Sequence, residues 1–469
     1  MTPEEMERNI QDLQAAPGLE FPTQFLNAKT YQEPVDKVPL VPLEEDVRRA
    51  FSFQNEIIDK LPLTDRGCLH KVYDINHDWA RYVLRGAKSW HNGMAGSVVI
   101  NTYRRLTPPK YQTAEHMNVV YTLFAVVEFV TTMTIMLDDQ YDMTLKRHQE
   151  PTWYLAHPVS LTSDALILPA MAQRILLKLF PRNHPCFTEI LEESLTYFQT
   201  CTTYFSYDAT YWNRIGRNRY KEMLEHRTRE LESLSSEEYL PLKPLITKSP
   251  IPFESFGVEA YCQHQDIRAV QFLQYCVNVG RLAACYTSVD VMTTNDVVKE
   301  SSEFMAAFDD YQEYNSSGNS RYEDNTGGAP EIFLSILMDS LRDPEFPSEK
   351  REKIMKVLER NFGTQSIAGA KVVVELYEEM GIPQKVRQYL YGIIDDLDQA
   401  SAQAMKINFP MAIVFDMIVY MCREEGTLNQ DTIKGVHALT SGQGYPSKEG
   451  AYSESAKFLR RLVDYYRPS

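Results

Sequence analysis

Residues 117–142 read MNVVYTLFAVVEFVTTMTIMLDDQYD. The first 21 of them carry one charge, Glu128, and three acids then arrive within five residues: Asp138, Asp139 and Asp142. Such a run predicts a membrane span or the central helix of a large helical core, since a helix apolar all round must be surrounded by lipid or by protein. It runs straight into two acids and lacks basic flanks and aromatic belts on both sides, so a core helix is expected and no membrane span. On a helix, positions four apart share a face, which points Asp138 and Asp142 the same way with Asp139 beside them. Clustered carboxylates repel and call for a cation. Magnesium is the natural partner, because it takes hard oxygen ligands from one or two carboxylates and completes its shell with water and substrate phosphate.

A second cluster follows far along the chain. Residues 304–314 read FMAAFDDYQEY, where an apolar turn precedes Asp309, Asp310 and Glu313 and again sets acids at i and i+4. Two such clusters facing each other across a helical bundle would clamp a diphosphate through a set of three divalent ions, as bundles build metal sites from facing helices. A diphosphate leaving group also needs positive charge. Lys146 and Arg147 lie just after the first cluster and Arg321 just after the second, and these are the candidate diphosphate-binding residues. A third string, Asp395, Asp396 and Asp398, lacks the i+4 acid and reads as a solvated face.

The chain has 469 residues, 43% of them hydrophobic and 24% charged, with a formal net charge of −16. The acidity excludes a basic nucleic-acid footprint and a basic membrane-binding face. Seven cysteines without a CxxC pair argue against a disulfide framework or a zinc knuckle and fit a reducing compartment. The opening residues MTPEEMERNIQDL hold more acid than base and no apolar core, so no targeting signal is read and a cytoplasmic location is expected. Long stretches carry helical spacing with few alternating runs, so the predicted class is all-α. Residues 1–45 are polar and interrupted by prolines and read as an arm. Residues 46–469 read as a single helical domain, with a charged, proline-closed insertion at 214–256.

Four segments, in order, resemble the trans-isoprenyl diphosphate synthase family, farnesyl diphosphate synthases in particular: DDQYDMTLKRHQEPTWY, QRILLKLFPRNHPCFTEILEESLTYFQT, FMAAFDDYQEYN and LERNFGTQSIAGAKVVVELYEEMGIP. The resemblance covers roughly residues 60–215 and 260–405. It implies an all-helical bundle around a deep apolar pocket, a prenyl diphosphate substrate, and Mg²⁺ held by both acid clusters. Homodimers are common in the family, and that state is left open for this chain.

The departures from the family pattern are informative. The family's GGKxxRG string holds the diphosphate of isopentenyl diphosphate. The matching region here is GAKSWHNGMAGSVVINTYRRL, and the Lys and Arg positions fall on Asn92 and Ala95, with Lys88 close by. The paired Arg after the first cluster is Arg147-His148, the Phe-Gln pair before the second is Met305-Ala306, and the Lys of the DNK string is Thr326. Metal and allylic positions persist while co-substrate positions have largely gone, which is similar to terpene synthases derived from this family. The expected activity is therefore that of a class I terpene synthase, ionising farnesyl diphosphate without a second substrate. Two alternatives stay open: a divergent prenyltransferase using Lys88, Arg104 or Arg105 instead, and a non-catalytic regulatory subunit.

Smaller signals are weighed against bland readings. Met133 and Thr134, at the family's chain-length positions, are not aromatic and leave room for fifteen carbons, although Met133 also suits plain core filling. Asn295, Asp296 and Glu303 loosely match an NDxxSxxxE metal motif, but Lys299 stands at the hydroxyl position, so a polar helix face is expected. Tyr204, Tyr207 and Tyr211 form a stripe suited to core packing or to facing a cation.

Overall fold

A computed structural model of the chain describes residues 19–21, 44–60, 93–142, 144, 146–147, 150–207, 222, 225, 255–286, 291–316, 320–406 and 454–466. The arm at 1–45 and the insertion at 214–256 fall almost wholly outside the described residues.

The molecule is built around α3 (Ala114–Asp142), a 29-residue helix about 43 Å long. Its apolar residues point in every direction, and neighbours bury nearly all of them. Helices α1 (Glu44–Lys60), α2 (Met94–Leu106) and α4 (Leu161–Lys178) pack along it, and α5 (Phe187–Tyr207) meets it as well. Val120, Phe124, Val127, Phe129 and Met133 are fully buried. α3 is the one described helix long and apolar enough to cross a membrane, and 89% of its most apolar window is buried inside the protein. It is a core helix, as the acids at its end predicted.

After α3 the chain turns through a two-residue antiparallel ladder, β1 (Lys146–Arg147) with β2 (Glu150–Pro151), pairing Lys146 with Pro151 and Arg147 with Glu150. Everything else regular among the described residues is helical, so the all-α class holds.

A long composite helix forms the facing wall: α6 (Val258–Gln265), a π-helical segment (Asp266–Val270) and α7 (Gln271–Ala283). α7 crosses α2 closely. At Gly280 a Cβ would stand 2.6 Å from the Thr102 Cβ and 2.9 Å from the Val99 carbonyl, so glycine is what lets the two backbones meet. α8 (Val291–Asn315) follows and packs along α12 (Ile382–Lys406). Between them lie α9 (Ile332–Arg342), α10 (Ser348–Asn361) and α11 (Ile367–Glu379), and the last described helix, α13 (Glu454–Tyr465), docks on α12.

Candidate active site

The first acid cluster closes α3. Asp139 is buried and Asp138 is partly exposed, with a side-chain accessibility of 16%. An oxygen of Asp138 lies 3.8 Å from the guanidinium of Arg268, which projects from the π segment and is 47% exposed. The Asp142 backbone ends the helix, while its side chain lies outside the described residues. The same holds for Lys146 and Arg147, whose backbone forms β1.

The second cluster sits near the C-terminal end of α8. Asp309 is exposed, and Asp310 and Glu313 are half-buried. Oδ2 of Asp310 accepts two hydrogen bonds at 3.0 Å, from the Tyr261 hydroxyl and from the backbone N–H of Ile332. Ile332 opens α9, whose preceding residue, Glu331, makes no side-chain cap. Asp310 thus supplies from another helix the acceptor that a helix N-terminus needs. Burial and the neighbouring Asp310 raise the Tyr261 phenol well above its ordinary value, so it donates as a neutral hydroxyl.

The composite helix connects the two clusters. Tyr261, bonded to Asp310, and Arg268, facing Asp138, are seven residues apart on it, about 10 Å of helix rise. The π segment lies where Arg268 leaves the helix, and single-turn π insertions of this kind commonly mark functional sites. Arg268 was not among the sequence candidates. A lone Arg in a helix of mixed polarity carries no motif, and only the meeting of the two helices reveals it.

Arg321, in the short turn Ser320–Tyr322 after α8, stacks 4.8 Å over the ring of Tyr314, one helical turn beyond Asp310, and lies 2.5 Å from Glu378 on α11. Its charge is matched within the protein. The DNT string is a structural junction: buried Asn325 donates to Glu331 at 3.2 Å and accepts from the Tyr377 hydroxyl at 3.2 Å. Lys299 pairs with Glu303 at 3.3 Å, one turn along α8, as a polar helix face would. Burial and the nearby Glu303 push the Glu300 carboxyl up to about 7. The third acidic string is not wholly solvated, because Asp395 is held by Arg460 of α13 while Asp396 is exposed. Arg104 lies 2.7 Å from Asp46 of α1, which also accepts from the Tyr121 hydroxyl at 3.1 Å. Met133 fills core space, and Thr134 donates back to the Thr131 carbonyl at 2.7 Å. Tyr204 is buried against the His264 ring at 5.1 Å, which is packing, whereas Tyr211, Lys88 and His148 lie outside the described residues.

The donor set suits magnesium. Every candidate ligand is a hard carboxylate oxygen, and no three of the described acids converge on one point, so each ion would take one or two carboxylates and keep positions for water and phosphate. Arg268 adds a cation beside the first cluster.

No protein-family model matches the chain. In sequence it is 32% identical over 99 residues to the farnesyl pyrophosphate synthases of Rattus norvegicus and Mus musculus, which is 21% of this chain and 28% of each enzyme. The Homo sapiens farnesyl pyrophosphate synthase matches at 31% over 99 residues, 23% of its length. The matched stretch therefore spans only about a quarter of the length of these relatives. Among solved structures, T. brucei farnesyl diphosphate synthase superposes with a TM-score of 0.60 at 14% identity, over 80% of this chain and 97% of that one. The same enzyme complexed with homorisedronate gives a TM-score of 0.59 over the same shares. The chain has the farnesyl diphosphate synthase fold and is a distant relative of those enzymes in sequence.

Proposed function

We propose that the protein is a class I terpene synthase that converts an allylic prenyl diphosphate, farnesyl diphosphate first, into a sesquiterpene hydrocarbon or alcohol. The observation that carries the reading is the pairing of two carboxylate clusters about one composite helix, with Arg268 set beside Asp138. Asp138, Asp139 and Asp142 on one side, and Asp309, Asp310 and Glu313 on the other, would hold Mg²⁺. Bound magnesium would supply the positive charge that stabilises diphosphate as it departs.

The chain's own residues do the rest. Arg268 adds a fixed guanidinium near Asp138, with Lys146 and Arg147 as the further cations proposed for the diphosphate. The allylic C–O bond breaks with its electron pair leaving on the diphosphate oxygen. The cation left behind cyclises or rearranges, then loses a proton to give a hydrocarbon or takes up water to give an alcohol. Excluding water from the site would delay that capture. The Arg104–Asp46 pair favours this one-substrate reading over condensation, since Arg104 is already occupied within the fold and poorly placed to replace a lost co-substrate contact.

The test is product analysis of purified protein with Mg²⁺ and geranyl, farnesyl or geranylgeranyl diphosphate, each with and without isopentenyl diphosphate. Hydrocarbon or alcohol from a single diphosphate is the expected result. Longer diphosphates formed only when isopentenyl diphosphate is present would instead establish a prenyltransferase.

A further inference from the structure

His184, Cys186 and Cys285 form a buried cluster whose nitrogen and sulfur atoms all lie within 4.8 Å of one another. It joins the turn between α4 and α5 to the turn that ends α7. The end of α7 at Ala283, two residues before Cys285, is fifteen residues from Arg268, roughly 22 Å of helix, so the cluster lies well away from the acid clusters. The rings of Phe21 and Phe180 cover it, at 4.6 Å and 5.1 Å from the His184 ring. Two chemistries suit such a group: a soft metal ion, or oxidation of the two thiols.

The histidine decides between them. Its Nε2 lies 3.1 Å from the Ala283 carbonyl, which can only accept, so Nε2 carries the proton. Its Nδ1 accepts from the Cys186 backbone N–H at 3.2 Å. Metal binding at Nε2, the nitrogen 3.8 Å from the Cys285 sulfur, would move the ring proton to Nδ1 and set it against that N–H. It would also leave three ligands where structural zinc sites close with four. The ring is an orienting group.

The thiols are arranged unequally. Cys285 donates to the sulfur of Cys186, which holds the Cys186 thiol below its ordinary range and pushes Cys285 above it. A thiolate formed at one sulfur has the other sulfur within 4.8 Å as its partner. Cys285 also has φ of 54°, a left-handed conformation that a non-glycine residue rarely adopts. Backbone strain held at one member of a reactive pair is the kind of outlier that points toward function.

We propose that Cys186 and Cys285 are a peroxide-responsive dithiol that closes to a reversible disulfide, tying the α4–α5 turn to the end of α7. The Cys186 thiolate attacks a peroxide oxygen, breaking the O–O bond and giving a sulfenic acid and hydroxide. The Cys285 sulfur, losing its proton, then displaces the sulfenic hydroxyl as water. Two thiols and hydrogen peroxide become one disulfide and two waters.

The test uses the full chain exposed to graded hydrogen peroxide, then alkylated, digested and mapped by mass spectrometry. The expected result is a Cys186–Cys285 linked peptide, two hydrogens lighter, that dithiothreitol reverses. It should persist in Cys276→Ser, a buried thiol outside the pair, and vanish in Cys186→Ser. An upward melting shift of a few degrees on oxidation should be lost in that variant. If Cys186→Ser does not fold, peptide mapping of the wild type still decides. Recovery of both cysteines as alkylated thiols, at doses that oxidise exposed methionines, overturns the proposal. So does uptake of one equivalent of zinc by the reduced protein that His184→Ala abolishes.

Discussion

Glu128 lies midway along α3, fully enclosed, with Oε1 accepting from the Gly96 backbone N–H at 2.7 Å in the first turn of α2. Burial pushes its carboxyl up to about 7, from 4.5 in an exposed chain. Between those values the folded protein keeps a proton that the unfolded chain releases. Stability is therefore fullest below pH 4.5 and falls as pH rises toward 7, by about 3 kcal/mol from this group alone. Glu128→Gln retains the acceptor and cannot ionise. Urea unfolding should show the variant matching the wild type near pH 5 and exceeding it at pH 8; an equal fall in both proteins would contradict the assignment. Sequence reading noted Glu128 only as the single charge in an apolar run, because its partner is 32 residues away and belongs to another helix. Asp310 teaches the same lesson. It is legible as one of a paired acid string, yet its bonds to Tyr261 and Ile332 are invisible until α6, α8 and α9 are assembled. Asp310→Ala should therefore lose turnover and also about 1–3 kcal/mol of stability. Asp309→Asn, at an exposed position, should lose turnover with its melting temperature unchanged. Equal melting shifts in the two variants would show that Asp310 has no such structural role.

The composite helix Val258–Ala283 is the element on which the site account turns, because it faces one cluster with Tyr261 and the other with Arg268. On the proposed reading, Arg268, carried by the π segment near Asp138, is a cation kept for the diphosphate. Arg268→Ala should lower kcat/KM for the prenyl diphosphate by about tenfold to a hundredfold, the worth of a charged hydrogen bond. It should barely alter thermal stability, since the side chain is half-exposed. Unchanged kinetics in this variant would remove Arg268 from the site. α3 was readable because its run is long, apolar and closed by acids. The π segment was not, since DIRAV carries no proline, glycine or periodic break to announce it.

On the scale of the whole molecule, a formal net charge of −16 belongs to a protein proposed to bind an anion. Asp138 and Asp139 end one helix, Asp309 and Asp310 lie on another, and a diphosphate approaching both would be repelled without added positive charge. On the proposed reading, metal is required for binding as well as for chemistry. The all-helical architecture and both clusters were legible from residue order. What stayed hidden were contacts between distant segments, such as Arg104 with Asp46 and Arg321 with Glu378, which occupy cations the sequence alone leaves available. The central claim, that one prenyl diphosphate is ionised at these carboxylates without a co-substrate, is tested most directly by following release of inorganic diphosphate from farnesyl diphosphate as the sole prenyl substrate. Steady release with Mg²⁺, stopped by EDTA and by Asp138→Asn, is the predicted result. Release that begins only when isopentenyl diphosphate is added, or that continues after chelation, would contradict it.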